Sequence, residues 1–100
     1  MMAVSPQDLV GQAVYARDDT MIGRVKELVY EGEYVEYVVV RRSLLSKLVV
    51  PVGAIESSGD RLLIPHTSSY LDNAPKVDTK HPLSAKDRSL LEHFYMPHAA

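Results

Sequence analysis

Tyr34-Val35-Glu36-Tyr37-Val38-Val39-Val40-Arg41-Arg42 decides how this chain folds. The run is dense in β-branched and aromatic residues and has turn chemistry on both sides, which reads as a β-strand. Side chains alternate across a strand, so Val35, Tyr37, Val39 and Arg41 share one face, and Tyr34, Glu36, Val38, Val40 and Arg42 share the other. A strand with one wet face is polar at every second position. Here Tyr34, Val38 and Val40 make the second face apolar as well. Another element of this chain, or another chain, must therefore cover it.

The flanking sequence keeps the same rhythm. Glu31-Gly32-Glu33 is a short hairpin turn in which Gly32 supplies positive φ. The strand before it runs from about Ile22 to Tyr30 or Glu31, and its alternation slips around Lys26-Glu27, where a bulge is expected. An earlier strand spans about Gln12–Arg17 and ends at Asp18-Asp19-Thr20. It follows a single turn at Ser5-Pro6-Gln7-Asp8 with Ser5 as N-cap. Downstream, Ser43-Leu44-Leu45-Ser46 leads to a fourth strand, Lys47–Val52, whose Pro51 removes a ladder donor and belongs at an edge or a bulge. A short piece at Ala54-Ile55, the turn Ser57-Ser58-Gly59-Asp60 and a fifth strand, Arg61–Pro65, complete the series. Neighbours in sequence are expected to pair antiparallel. The fold class is mainly β: residues 1–66 form the body of a small barrel of five or six antiparallel strands.

Residues 67–100 differ in kind but belong to the same single domain. Thr67–Lys80 is polar, holds Pro75 and has no clean period, so it is expected to wrap as extended chain anchored by Leu71 and Ala74. Ser84-Ala85-Lys86-Asp87 is a capping box that opens one C-terminal α-helix to about Tyr95, before Pro97. Leu90, Leu91, Phe94 and Tyr95 form its apolar stripe, and Arg88 and Glu92 are expected to pair on the wet side. So short a helix is marginal alone in water. The second face of Tyr34–Arg42 is its expected receiver, within the chain or on a neighbour.

Composition narrows the function classes. Of the 100 residues, 46% are hydrophobic and 24% charged, which excludes a disordered chain. The 11 Lys and Arg against 13 Asp and Glu leave a charge of −2, which argues against a dedicated nucleic-acid binder. No apolar run approaches the ~20 residues of a membrane-spanning helix. Met1–Val4 lacks the basic start of a signal peptide, so a cytoplasmic protein is expected. Without cysteine there is no disulfide scaffold, thiol catalysis or thiolate metal site.

Motifs of catalysis are missing. His66, His81, His93 and His98 lack zinc-ligand spacing, and they read as solvated or capping residues. The alternative is a site assembled from His66, one C-terminal histidine and Glu92. Asp18, Asp19 and Asp60 lie in turns, where Asp bonds local backbone amides. There is no G-x-S-x-G and no glycine-rich phosphate loop. No enzyme, metal or cofactor is therefore expected. One stretch, Arg41-Arg42-Ser43-Leu44-Leu45-Ser46-Lys47, places three cations and two leucines at a hairpin tip. The preferred reading tucks Leu44 and Leu45 under the sheet and leaves Arg41, Arg42 and Lys47 solvated. The functional alternative is a grip on an acidic partner, an RNA backbone or an anionic membrane surface. Tyr15, Tyr30, Tyr34 and Tyr37 are interleaved with Glu27, Glu31, Glu33 and Glu36, which repel phosphate and disfavour base stacking.

Leu9-Val10-Gly11-Gln12-Ala13-Val14, followed by Asp19-Thr20-Met21-Ile22-Gly23-Arg24-Val25, resembles the opening of the PRC-barrel domain. Val40-Arg41-Arg42 and then Val49-Val50-Pro51-Val52-Gly53-Ala54-Ile55 resemble its "vP-x-x-x-I" segment. Gly59-Asp60-Arg61-Leu62-Leu63-Ile64 is similar to its closing hairpin, and Ala74-Pro75 with Phe94-Tyr95 resembles the tail of stand-alone bacterial members. The family's acidic-Gly turn before the second strand is replaced by Asp19-Thr20-Met21. The resemblance implies a β-barrel of about six strands with no shared catalytic set. It also implies docking onto larger assemblies, as in the photosynthetic reaction-centre H subunit and a ribosome-maturation factor.

Three readings follow. The first is a non-enzymatic adaptor, homodimeric through Tyr34, Val38 and Val40 or through Leu90, Leu91, Phe94 and Tyr95. The second is an RNA- or ribosome-associated factor using Arg41, Arg42 and Lys47 beside Leu44 and Leu45. The third is a small metal-dependent protein or enzyme built on the histidines. The resemblance adds a peripheral component of a membrane electron-transfer assembly.

Overall fold

Each β-rich segment becomes a strand. A computed structural model describes residues 6–96; the expected Ser5 cap, Pro97 stop and His98 lie outside the described residues. The strands are β1 (Ala13–Ala16), β2 (Met21–Glu31), β3 (Tyr34–Ser43), β4 (Ser46–Pro51), β5 (Glu56–Ser58) and β6 (Arg61–Ile64). Two helices follow, α1 (Ser68–Leu71) and α2 (Ala85–Tyr95).

The strands form one sheet in the order β4-β3-β2-β1-β6-β5. Two expectations need correction. The sheet is mixed, because β1 and β6 run parallel, from Val14 opposite Leu62 to Ala16 opposite Ile64. It is also not closed, since β4 and β5 are its two edges and do not pair. The cause is local: Pro51, in extended conformation, feeds a single 3-10 turn at Val52–Ala54 instead of a hairpin. The chain then crosses to the opposite edge, where the β5–β6 hairpin joins β1. Pro51 thus sits on an edge strand, where its missing donor costs nothing. The dimensions, 35 × 33 × 32 Å, are those of a sheet curled round its core rather than lying flat.

Irregularities fall where the backbone needs them. Between Val25 opposite Val40 and Glu27 opposite Val39, β2 carries Lys26 as an extra residue, the bulge read from the slipped alternation. Strand β3 carries two more, Glu36 and Arg42, one near each end. Asp19 itself takes φ of 67°, so an aspartate fills a left-handed turn position of the kind that favours glycine. Gly23 is required for a different reason: a Cβ there would overlap the Arg41 carbonyl across the ladder. Ser57 and Ser58, expected in a turn, end β5; only Gly59 and Asp60 turn the chain, with Gly59 at φ 66°.

The tail is not simply extended. Thr67 caps α1, its Oγ1 accepting the Tyr70 amide at 3.3 Å, and the Asp18 carboxylate accepts the Ser68 hydroxyl at 2.8 Å. Leu71 is fully buried and Ala74 packs against the core, as anchors should. The Ser84 hydroxyl accepts the Asp87 amide at 3.1 Å, so the capping box opens α2 where the sequence places it. Helix α2 packs against β4, and Leu91 and Tyr95 join the cluster that holds Val38, Val40 and Val50. Arg88 does not pair with Glu92. It bonds Glu36 on β3 and, at 3.0 Å, Glu31 on β2.

Two outcomes test this arrangement. Gly23→Ala drives a methyl into the Arg41 carbonyl, so the urea midpoint should fall, with about 1–3 kcal/mol lost. The Ser68 bonds hold the Asp18 carboxyl below its ordinary value of 3.8. A depressed carboxyl lends stability above its unfolded value and loses it as pH falls through the folded one. Asp18→Asn should therefore lower the melting temperature at neutral pH and flatten the decline below about pH 4.

Candidate functional site

Register places cations side by side. Arg24 on β2 lies opposite Arg41 on β3, which lies opposite Lys47 on β4. Directly opposed residues share a face, so three positive side chains form one row across three strands. All three are exposed, and none is in a salt bridge among the described residues. Arg24 does donate to the Gly11 carbonyl at 3.0 Å, which steadies one end of the row. Like charges placed opposite one another destabilise a sheet, so the row has no benefit to folding.

Leu44 and Leu45 project from the same end as the two-residue loop between β3 and β4. They are 87% and 99% exposed, which corrects the expectation that they tuck under the sheet. Ser43 pairs with Ser46, leaving the loop too short to fold back, and the displaced Arg42 carries the chain into it. Neither leucine adopts positive φ, so the loop is not one of the primed turns that suit tight hairpins. Beside it lies an open cleft of about 220 Å³ bounded by Leu45, Lys47, Val49, Pro75, Lys76 and Val77. The cleft brings Lys76, a fourth exposed cation, to the tip. Arg42 is not part of this charge: it pairs with Asp72 at 3.0 Å.

The other residues singled out by sequence have structural employment. Val38, Val40, Leu91 and Tyr95 are buried within the chain, the first of the two coverings expected for the second face of β3. Phe94 is half-buried, stacked on Tyr70 at 4.3 Å, and Tyr70 stacks in turn on His66 at 4.7 Å. His66 donates from Nε2 to the Tyr95 carbonyl at 2.7 Å and so ties α2 to the end of β6. His93 donates to the Ser89 carbonyl one turn back at 2.9 Å, and His81 is exposed. No three His, Cys, Asp or Glu side chains converge among the described residues, so His66 and Glu92 do not assemble a metal site there. Tyr34 stays 80% exposed and Leu90 45% exposed. Tyr34 lies directly opposite Glu31, at the far end of β3 from the leucines. Sequence reasoning missed Arg24 and Lys76, because only strand register and the path of the tail bring them to the tip.

The molecule thus belongs to the class of small curled β domains with a C-terminal helix and a cationic, leucine-tipped hairpin. The PRC-barrel domain model matches residues 2–71, and the chain belongs to that family. The match ends with α1, so α2 lies beyond it. No curated protein matches the chain. No helix among the described residues is long and apolar enough to cross a membrane.

The Tyr95 hydroxyl gives a local test of how α2 is seated. It is buried with no hydrogen-bond partner, and burial pushes the phenol well above its ordinary pKa, with Arg42 acting in the opposite direction. Leaving a buried polar group unpaired costs about 1–3 kcal/mol. Tyr95→Phe should accordingly raise the denaturation midpoint, whereas Tyr95→Ala should lower it through lost packing.

Proposed function

We propose that this PRC-barrel protein is a non-enzymatic, cytoplasmic docking module whose contact surface is the β3–β4 hairpin end. The observation that carries the reading is the pair Leu44 and Leu45, almost fully solvated beside the row Arg24, Arg41 and Lys47. Turn chemistry favours Gly, Asn or Asp at such a loop, and solubility favours anything but two leucines. The fold derives no benefit from either choice, so the benefit lies in a contact.

In this reading Val38 and Val40 serve the chain's own core, in one cluster with Leu71, Leu91 and Tyr95, rather than a second copy. Sedimentation across a wide concentration range should return a monomer. A dimer that survives Leu44→Ser/Leu45→Ser would reinstate a dimer interface elsewhere. The RNA reading loses Arg42 to Asp72 and gains no aromatic ring at the tip.

Photocross-linking in cells tests the location of the surface. A benzophenone amino acid at position 45 should yield adducts, and the same group at position 34 should yield none. Adducts from position 34 alone would overturn the reading.

A further inference from the structure

We propose that the hairpin end docks on an anionic lipid bilayer, with Leu44 and Leu45 entering the headgroup–acyl boundary and Arg24, Arg41, Lys47 and Lys76 lying at headgroup level. The inference rests on the docking reading above and names its partner. Three observations carry it. The two leucines form the loop between β3 and β4 and are 87% and 99% exposed, so they suit a surface that yields to them. The three register-matched cations spread over about 10 Å, the spacing of three adjacent strands, with Lys76 across the cleft from Lys47. They form a broad positive collar behind an apolar point, not a single pocket for one carboxylate or phosphate. Finally, among the described residues no acidic partner neutralises the row, while the neighbouring Arg42 is neutralised by Asp72. The row beside the leucines is therefore left as free positive charge.

Each half of the device explains the other. Anionic lipid attracts basic side chains only within about a Debye length of the surface, so cations alone give weak, salt-sensitive adsorption. Apolar side chains that reach the acyl boundary add binding that salt does not screen. RNA would use the cations but not the leucines. An acidic protein groove would use both, yet it would need a concavity shaped to the tip.

The test is flotation of the full-length protein with phosphatidylcholine vesicles, with and without about one-third phosphatidylserine. Wild type should float with the anionic vesicles and stay behind with the neutral ones. Leu44→Ser/Leu45→Ser should reduce partitioning by about tenfold or more. Arg24→Glu/Arg41→Glu/Lys47→Glu should abolish it at low salt. All these side chains are exposed, so unchanged melting temperatures would verify folding. Failure of wild type to float with anionic vesicles at low salt overturns the proposal. So does equal flotation of the leucine variant, or equal binding to neutral lipid. If position 45 still cross-links to protein in cells while vesicles are ignored, the docking reading stands and the lipid assignment falls. If position 45 gives neither protein nor lipid adducts, both fall.

Discussion

A strand that is apolar on both sides is the constraint around which this molecule is organised. Tyr37, Val38, Val39 and Val40 are each 1% exposed or less, and β4 repeats the pattern beside them with Leu48, Val49 and Val50. A curled sheet can hide only its inner face from water, so the outer face of this pair needs a lid. Helix α2, packed against β4, supplies it with Leu91 and Tyr95, the leucine worth about 1.5–3 kcal/mol when fully buried. That burial outweighs the poor intrinsic stability of an eleven-residue helix.

Polar contacts then decide where the lid sits. The two bulged residues of β3, Glu36 and Arg42, are the ones that reach the tail, through Arg88 and Asp72 respectively. A bulge re-aims a side chain that regular alternation would leave on its ordinary course. The same distortions that interrupt the ladder therefore pin the C-terminal segment at both ends of the strand. His66 adds a third tie through the Tyr95 carbonyl and the stack with Tyr70. The family match stops at Leu71, so the lid is built from sequence beyond it, and the strand face that demands a lid lies within it.

Most of this was legible locally. The two-sided apolarity of Tyr34–Arg42, the slipped alternation near Lys26, the Ser84 capping box and the edge position of Pro51 each follow from nearest-neighbour chemistry. The parallel pairing of β1 with β6 was not, because it depends on whether a 3-10 turn after Pro51 folds the chain back or carries it across. Helix α1 was hidden because Thr67-Ser68-Ser69-Tyr70 has weak helix propensity and gains its order from Asp18, fifty positions away. Arg88 bonds Glu31 and Glu36 rather than Glu92 for a related reason. An i,i+4 partner is visible in sequence, but the competing Glu31 and Glu36 come from a sheet that only folding brings near. The hairpin end was half legible: Arg41, Leu44, Leu45 and Lys47 lie in one short run, and Arg24 and Lys76 do not.

Leu44 and Leu45 stand in water against the ordinary tendency of adjacent leucines to bury. Burial of two leucines is a sound default, since solvating them gives up several kcal/mol of transfer free energy. It fails here because a two-residue loop between Ser43 and Ser46 has no slack to fold inward. The chain as a whole is acidic, with a charge of −2, which at first weighs against an anionic partner. Screening removes that objection: at physiological salt a surface senses charge within about 8 Å, and the acidic residues around Tyr34 lie at the other end of β3. What meets a surface at this end is the cationic row and the two leucines it surrounds. The separation of acidic and basic ends, rather than the net charge, then orients the molecule and turns the acidic end away.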